Sequence, residues 1–134
     1  MKKILLTISL ALALVAAPVG CKTNEPPART AYKATGSVLD TVQASMDSWR
    51  IYVTAEKAAI EKLRKTDPGA AIDRSTELLK REGRVSGAYY KFQEVTKAAI
   101  IGGTDVAAQQ ELSKQVAAAG AQVVNLITLF TSTQ

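Results

Sequence analysis

Histidine is absent from this chain, and cysteine occurs once in 134 residues. Without histidine there is no Ser-His-Asp triad, no Cys-His couple, no His-ligated haem and no route to most zinc sites. A single cysteine cannot close an internal disulfide. No glycine-rich phosphate loop, acidic calcium loop or paired-carboxylate motif is visible, nor any nucleic-acid-binding motif. With these tools missing, the expectation is a protein that is not an enzyme, holds no cofactor or metal and binds no nucleic acid.

Charge argues the same way. The net charge of +5 includes Lys2 and Lys3. Both precede an uncharged, largely apolar run from Ile4 to Ala17, and Pro18 and Gly20 then break any helix. A short positive start followed by about 14 apolar residues has the form of an export signal and is short for a membrane span. Removing residues 1–20 lowers the charge to 17 − 2 − 12 = +3, which weakens any case for a polyanionic partner. The remaining basic residues are interleaved with acids.

Cys21 stands where the apolar run stops, preceded by Val19 and Gly20. Val19-Gly20-Cys21 resembles the lipobox of bacterial lipoprotein precursors, a resemblance confined to the first 21 residues. Pro18 departs from the pattern, which has Leu, Val or Ile there. The resemblance implies cleavage before Cys21, lipid on its sulfur and acylation of its amine. It implies anchoring in the bacterial cell envelope through that lipid (palmitate being a typical acyl chain), and Lys22 leans towards the outer membrane. A secreted protein cut after Ala17 and an uncleaved anchor are the alternatives. Several acyl chains hold more firmly than one, because each buried methylene adds roughly 0.8 kcal/mol.

Residues 21–30, with Pro26-Pro27, read as a short tether. Residues 31–134 are too few for two domains and carry helical periodicity throughout. The spacing predicts helices at about 31–66, 68–101 and 104–131. The first has the stripe Tyr32, Thr35, Leu39, Val42, Met46, Trp49, Val53, Glu56, Ile60, Leu63, whose steps alternate three and four as in a coiled-coil seam. Ser37 followed by Asp40 offers a second possible start. Asp67 and Pro68 suit the cap and first turn of the second helix. Its stripe of Ile72, Leu78, Leu79, Val85, Tyr89, Phe92, Val95, Ala99 and Ile100 drifts, as in a helix touching two neighbours. Gly102-Gly103-Thr104-Asp105 ends it, with Thr104 able to cap the third helix. That helix carries Leu112, Val116, Ala119, Val123, Leu126 and Phe130. On the first helix, opposite its stripe, Lys57–Glu61 and Glu61–Lys65 are opposite charges four apart.

Short turns make consecutive helices antiparallel neighbours, so the fold class is all-α, an up-down-up three-helix bundle. Folding about the first turn sets Trp49 opposite Gly83–Gly87. Folding about the second sets Tyr89 and Tyr90 opposite the small run Val116–Ala121. Large side chains would then meet small ones at both contacts.

Four candidate sites follow. Glu56 interrupts the first seam and is either a buried carboxylate with its pKa raised or a seam-edge residue whose head reaches water or pairs with a Lys or Arg. Trp49, Tyr89 and Tyr90 are possible ligand or partner contacts, or core and boundary residues. Lys62, Arg64, Lys65, Lys80, Arg81 and Arg84 flank the first turn as an anion-binding patch or a solvated face. The octet Val123–Phe130 is apolar nearly all round: core, self-association surface or partner surface, and too short to span a membrane. The functional expectation is a structural or protein-interaction module with an envelope partner or a second copy of itself. An apolar-ligand module near Trp49 and Tyr89 is the alternative, for a lipid or muropeptide.

Overall fold

The computed structural model describes residues 27–101 and 105–132, with side chains from Lys33 onward. The segment expected to be an export signal, Cys21, the first part of the expected tether, Gly102-Gly103-Thr104 and the last two residues lie outside the described residues. Within them the chain is entirely helical: α1 (Pro27–Arg64), α2 (Pro68–Ile101) and α3 (Val106–Ser132). The three-helix bundle is therefore the observed architecture, and every helix packs on both others.

Local chemistry places the ends. Pro27, first residue of α1, has no N–H to leave unsatisfied at a first-turn position. The helix starts four residues ahead of the expected 31 and absorbs the end of the tether. Ser37 is an interior residue, not a cap, and its carbonyl accepts the Thr41 hydroxyl at 2.9 Å. After Arg64 the chain tightens, with the Thr66 N–H donating to the Leu63 carbonyl at 3.0 Å. Asp67 then caps α2, its Oδ1 accepting the Ala70 N–H at 3.0 Å. Asp105, in place of the expected Thr104, caps α3, accepting the Ala107 N–H at 3.3 Å.

The contacts define the topology. Trp49 meets Phe130, and Val38 and Val42 converge on Gly120, so α1 and α3 run parallel. Arg81 reaches Phe130 while Phe92 meets Gly120, so α2 and α3 run antiparallel. Four valines, Val42, Val85, Val116 and Val123, are the fully buried centre. Packing on α3 is more extensive for both partners than α1–α2 packing is.

Three expected contacts change. Val38 is buried and Leu39 sits at the surface, so the seam of α1 steps through Thr35, Val38 and Val42. Gly83 and Gly87 do not receive Trp49: both are exposed, with open space where a Cβ would stand. The glycine that does permit close approach is Gly120. A Cβ there would lie 2.6 Å from Val38 Cγ1, 3.2 Å from Val42 Cγ2 and 3.4 Å from Phe92 Cε2. From α2, the side chain that reaches Gly120 in this small run is Phe92, two to three residues beyond the expected Tyr89–Tyr90 pair.

The core divides. The larger cluster draws on all three helices and closes at Trp49 and Phe130. A smaller one, Ile60, Ala71 and Leu78 with Tyr52, Val53 and Leu63 against it, draws on α1 and α2 alone. Beyond Phe130 the bundle continues as a two-helix hairpin.

Candidate functional site

Glu56 lies in that hairpin. Its place in the seam of α1 drives it inward, and it is 7 % exposed. A carboxylate taken out of water needs a partner. Arg74 of α2 supplies one: Nε donates to Oε2 at 2.9 Å and Nη2 to Oε1 at 2.8 Å. This two-bond fork is the strongest geometry available to an ion pair. The Glu56 carboxylate in turn holds the Arg74 guanidinium above its ordinary value, by hydrogen bonding first and charge second.

The pair forms one wall of an open cleft of about 590 Å³, lined also by Tyr52, Asp73, Glu77, Leu78 and Arg81. Arg81 ties the cleft to the end of α3. Its Nη1 donates to the Tyr52 hydroxyl at 3.1 Å and the Phe130 carbonyl at 3.4 Å, and its Nε donates to Glu77 Oε1 at 3.2 Å. The guanidinium carbon lies 5.5 Å from the centre of the Phe130 ring, within cation–π range. Burial pulls Arg81 down, but the bonds with Glu77 and Tyr52 outweigh it and hold the group above its ordinary value.

Both guanidinium groups are occupied by carboxylates and both Glu56 oxygens are occupied by Arg74. The arrangement clamps α1 to α2 where α3 no longer covers them. Of the two readings of Glu56, the structure supports pairing with an arginine. Arg74 escaped the sequence reading. The hairpin register brings 56 opposite the Arg74–Arg81 stretch, so the region was within reach, but Arg74 and Arg81 both lie there and spacing does not choose between them.

The aromatic candidates separate. Trp49 is 5 % exposed, stacked on Tyr52 with centroids 5.2 Å apart and tilted against Phe130 at 6.2 Å. Tyr89 is half-buried beside Phe92 at 6.3 Å. Tyr90 is 65 % exposed. None of the three lines the cleft, nor the shallow groove of about 360 Å³ on the outer face of α3 along Ala118, Ala121, Gln122, Asn125, Leu126 and Leu129.

The basic residues at the first turn are part of a mixed face. Arg64 pairs with Glu61 at 3.0 Å, and Lys57 crosses to Glu82 of α2 at 3.0 Å. These replace the expected Lys57–Glu61 and Glu61–Lys65 pairs. In the octet, Val123, Val124, Ile127 and Phe130 are buried and Leu129 is exposed. By length and composition α3 also passes for a membrane span, with 39 % of its apolar window buried in the bundle.

The chain matches no protein-family model, no curated protein and no solved structure.

Proposed function

We propose that this chain is an exported lipoprotein of the bacterial envelope, anchored through Cys21, whose helical bundle is a non-enzymatic interaction module. The observation that carries the interaction reading is the outer face of α2. It leaves Ile72, Leu79, Tyr90 and Ile101 exposed, while the bundle closes its core without them. Large apolar side chains collected on one face of a small domain favour a partner surface. Anchoring rests on Lys2-Lys3, the apolar run and Val19-Gly20-Cys21. The apolar-ligand reading near Trp49 and Tyr89 has less support, because the Trp49 indole is already packed on Tyr52 and Phe130.

Labelled palmitate fed to cells making the full chain tests the anchor. Incorporation that disappears in Cys21→Ser is the expected result; label in neither chain, or equally in both, refutes it. Titration with lipids and muropeptides, read by the fluorescence of Trp49, tests the alternative. A saturable shift would favour a ligand module over an interaction surface.

A further inference from the structure

The two ends of the bundle are unlike. The turn between α1 and α2 is charged: Glu61, Lys62, Arg64, Lys65 and Asp67 fall within seven residues. At the other end, from Ala98 to Gln110, Asp105 is the one charged residue, and its carboxylate caps α3. Ile100, Ile101 and Val106 stand there 69, 70 and 42 % exposed. Ile101 also ends the second apolar stripe of α2, the one turned away from the core. No contact in the core calls for these three side chains, since the buried clusters close without them. The same end of the bundle holds the start of α1. Trp49 meets Phe130 in the parallel pair of helices, which sets Val106 about level with Pro27. Tyr52 meets Arg81 in the antiparallel pair, which sets Ile101 about level with Tyr32.

We infer that this tip rests in the surface of the lipid bilayer, with Ile100, Ile101 and Val106 entering the boundary between headgroups and acyl chains. The inference rests on the anchoring reading above and adds a second membrane contact to it. With lipid on Cys21, residues 22–26 are all the chain between the anchor and Pro27, and five residues span at most about 18 Å. α1 is 38 residues long, so the charged turn lies about 55 Å further along. The tether therefore holds the apolar end of the bundle, and not the charged end, at the membrane. The anchor has already brought the chain to the surface, so burying three side chains is an intramolecular step at high effective concentration. Lys97 is exposed one turn before Ile100 and Ile101. Its stem can follow the apolar side chains while its ammonium meets lipid phosphates. Asp105 opposes anionic lipid, but the N–H groups of α3 that it caps offset its charge. Seated by this tip, the bundle leaves the outer face of α2 and the Glu56–Arg74 cleft on the aqueous side.

The test uses the full-length chain, purified from membranes and reconstituted into vesicles of phosphatidylethanolamine and phosphatidylglycerol. Lipid on Cys21 leaves no free thiol, so an introduced cysteine is the one site for an environment-sensitive fluorophore. Ile101→Cys and Val106→Cys report on the tip, and Thr66→Cys, exposed at the opposite turn, is the reference. The expected result is blue-shifted emission at 101 and 106, quenched by acyl-chain nitroxides about threefold or more above the quenching at 66. Equal quenching at both ends overturns the inference. A blue shift at 101 and 106 that the nitroxides do not quench also overturns it, because a protein surface or a second copy then covers the tip. The fluorophore is itself apolar, so a second variant alters the tip without touching the labelled site. Ile100→Ser with Ile101→Ser, read at Val106→Cys, should cut the quenching by about half or more and leave the melting temperature unchanged, since both residues are exposed. Undiminished quenching in that variant overturns the contact. Label on the wild-type chain, whose one thiol is Cys21, removes the anchor and the inference with it. An unlabelled wild type with equal quenching at both ends removes the tip contact and leaves the anchor.

Discussion

The two ends of this bundle solve the same problem differently. Where α3 is present, α1 and α2 turn Val38, Val42, Trp49, Val85 and Phe92 inward, and the third helix covers them with Val116, Val123 and Phe130. Past Phe130, among the described residues, no third helix lies over the hairpin, and its buried apolar residues are Ile60, Ala71 and Leu78. The open side is closed by charge: the Glu56–Arg74 fork, with Arg81 bracing the boundary between the two sections. A two-helix layer cannot exclude water from both sides of its seam, so long amphipathic side chains take the place of the missing helix. Hydrophobic burial dominates one section, and satisfied polar contact supplements it in the other.

The sharpest way to break the contrast is at the boundary. Phe130→Ala removes the ring that Trp49 packs against and Arg81 covers, and should lower stability by about 3–5 kcal/mol, read from urea unfolding. A loss under about 1 kcal/mol would mean that the three-helix section does not close there. Gly120→Leu attacks the middle of the same section. A side chain has no space between Val38, Val42 and Phe92, and the expected loss is about 1–3 kcal/mol. A gain, as expected of an open helical site, would contradict the close approach.

In the hairpin, Arg74→Met strands the buried Glu56 carboxylate. Breaking a fully buried pair costs about 3–5 kcal/mol. Arg74 is itself half exposed, so water softens the loss to about 1–2 kcal/mol. The double variant Glu56→Leu with Arg74→Met should recover most of that loss by urea unfolding, because it gives the hairpin an apolar seam of its own. If the double variant is as unstable as the single one, the fork acts through something other than charge satisfaction. Native-state hydrogen exchange should separate the sections, with amides of residues 56–63 and 70–78 exchanging before those of 42–49 and 116–127. Simultaneous exchange would show a single cooperative unit. The smallest effect belongs to Lys57→Ala, which removes a largely exposed ion pair and should change stability by less than about 0.5 kcal/mol.

The candidate site was only half legible beforehand. Glu56 announces itself because an acid interrupts an apolar seam. Arg74 does not, since an arginine on a polar stretch of helix is ordinary until the neighbouring helix fixes its rotation. Trp49 was identifiable as central, but its neighbours came from α3, 81 residues away at Phe130, and not from the glycines of α2.

What the sequence determined by itself was helix, turn and order. Asp67 and Asp105 cap because a side-chain oxygen reaches an N–H two or three residues on. Three-four spacing makes an apolar stripe whatever the neighbours do, and short turns force antiparallel succession. All of these act within a few residues. Tertiary structure decided which stripe faces inward, since one residue turns a helix by about 100°. That rotation is set by the mutual fit of three helices. It put Val38 inside and Leu39 outside, chose Gly120 over Gly83 and Gly87 as the point of contact, and left the second apolar stripe of α2 facing outward.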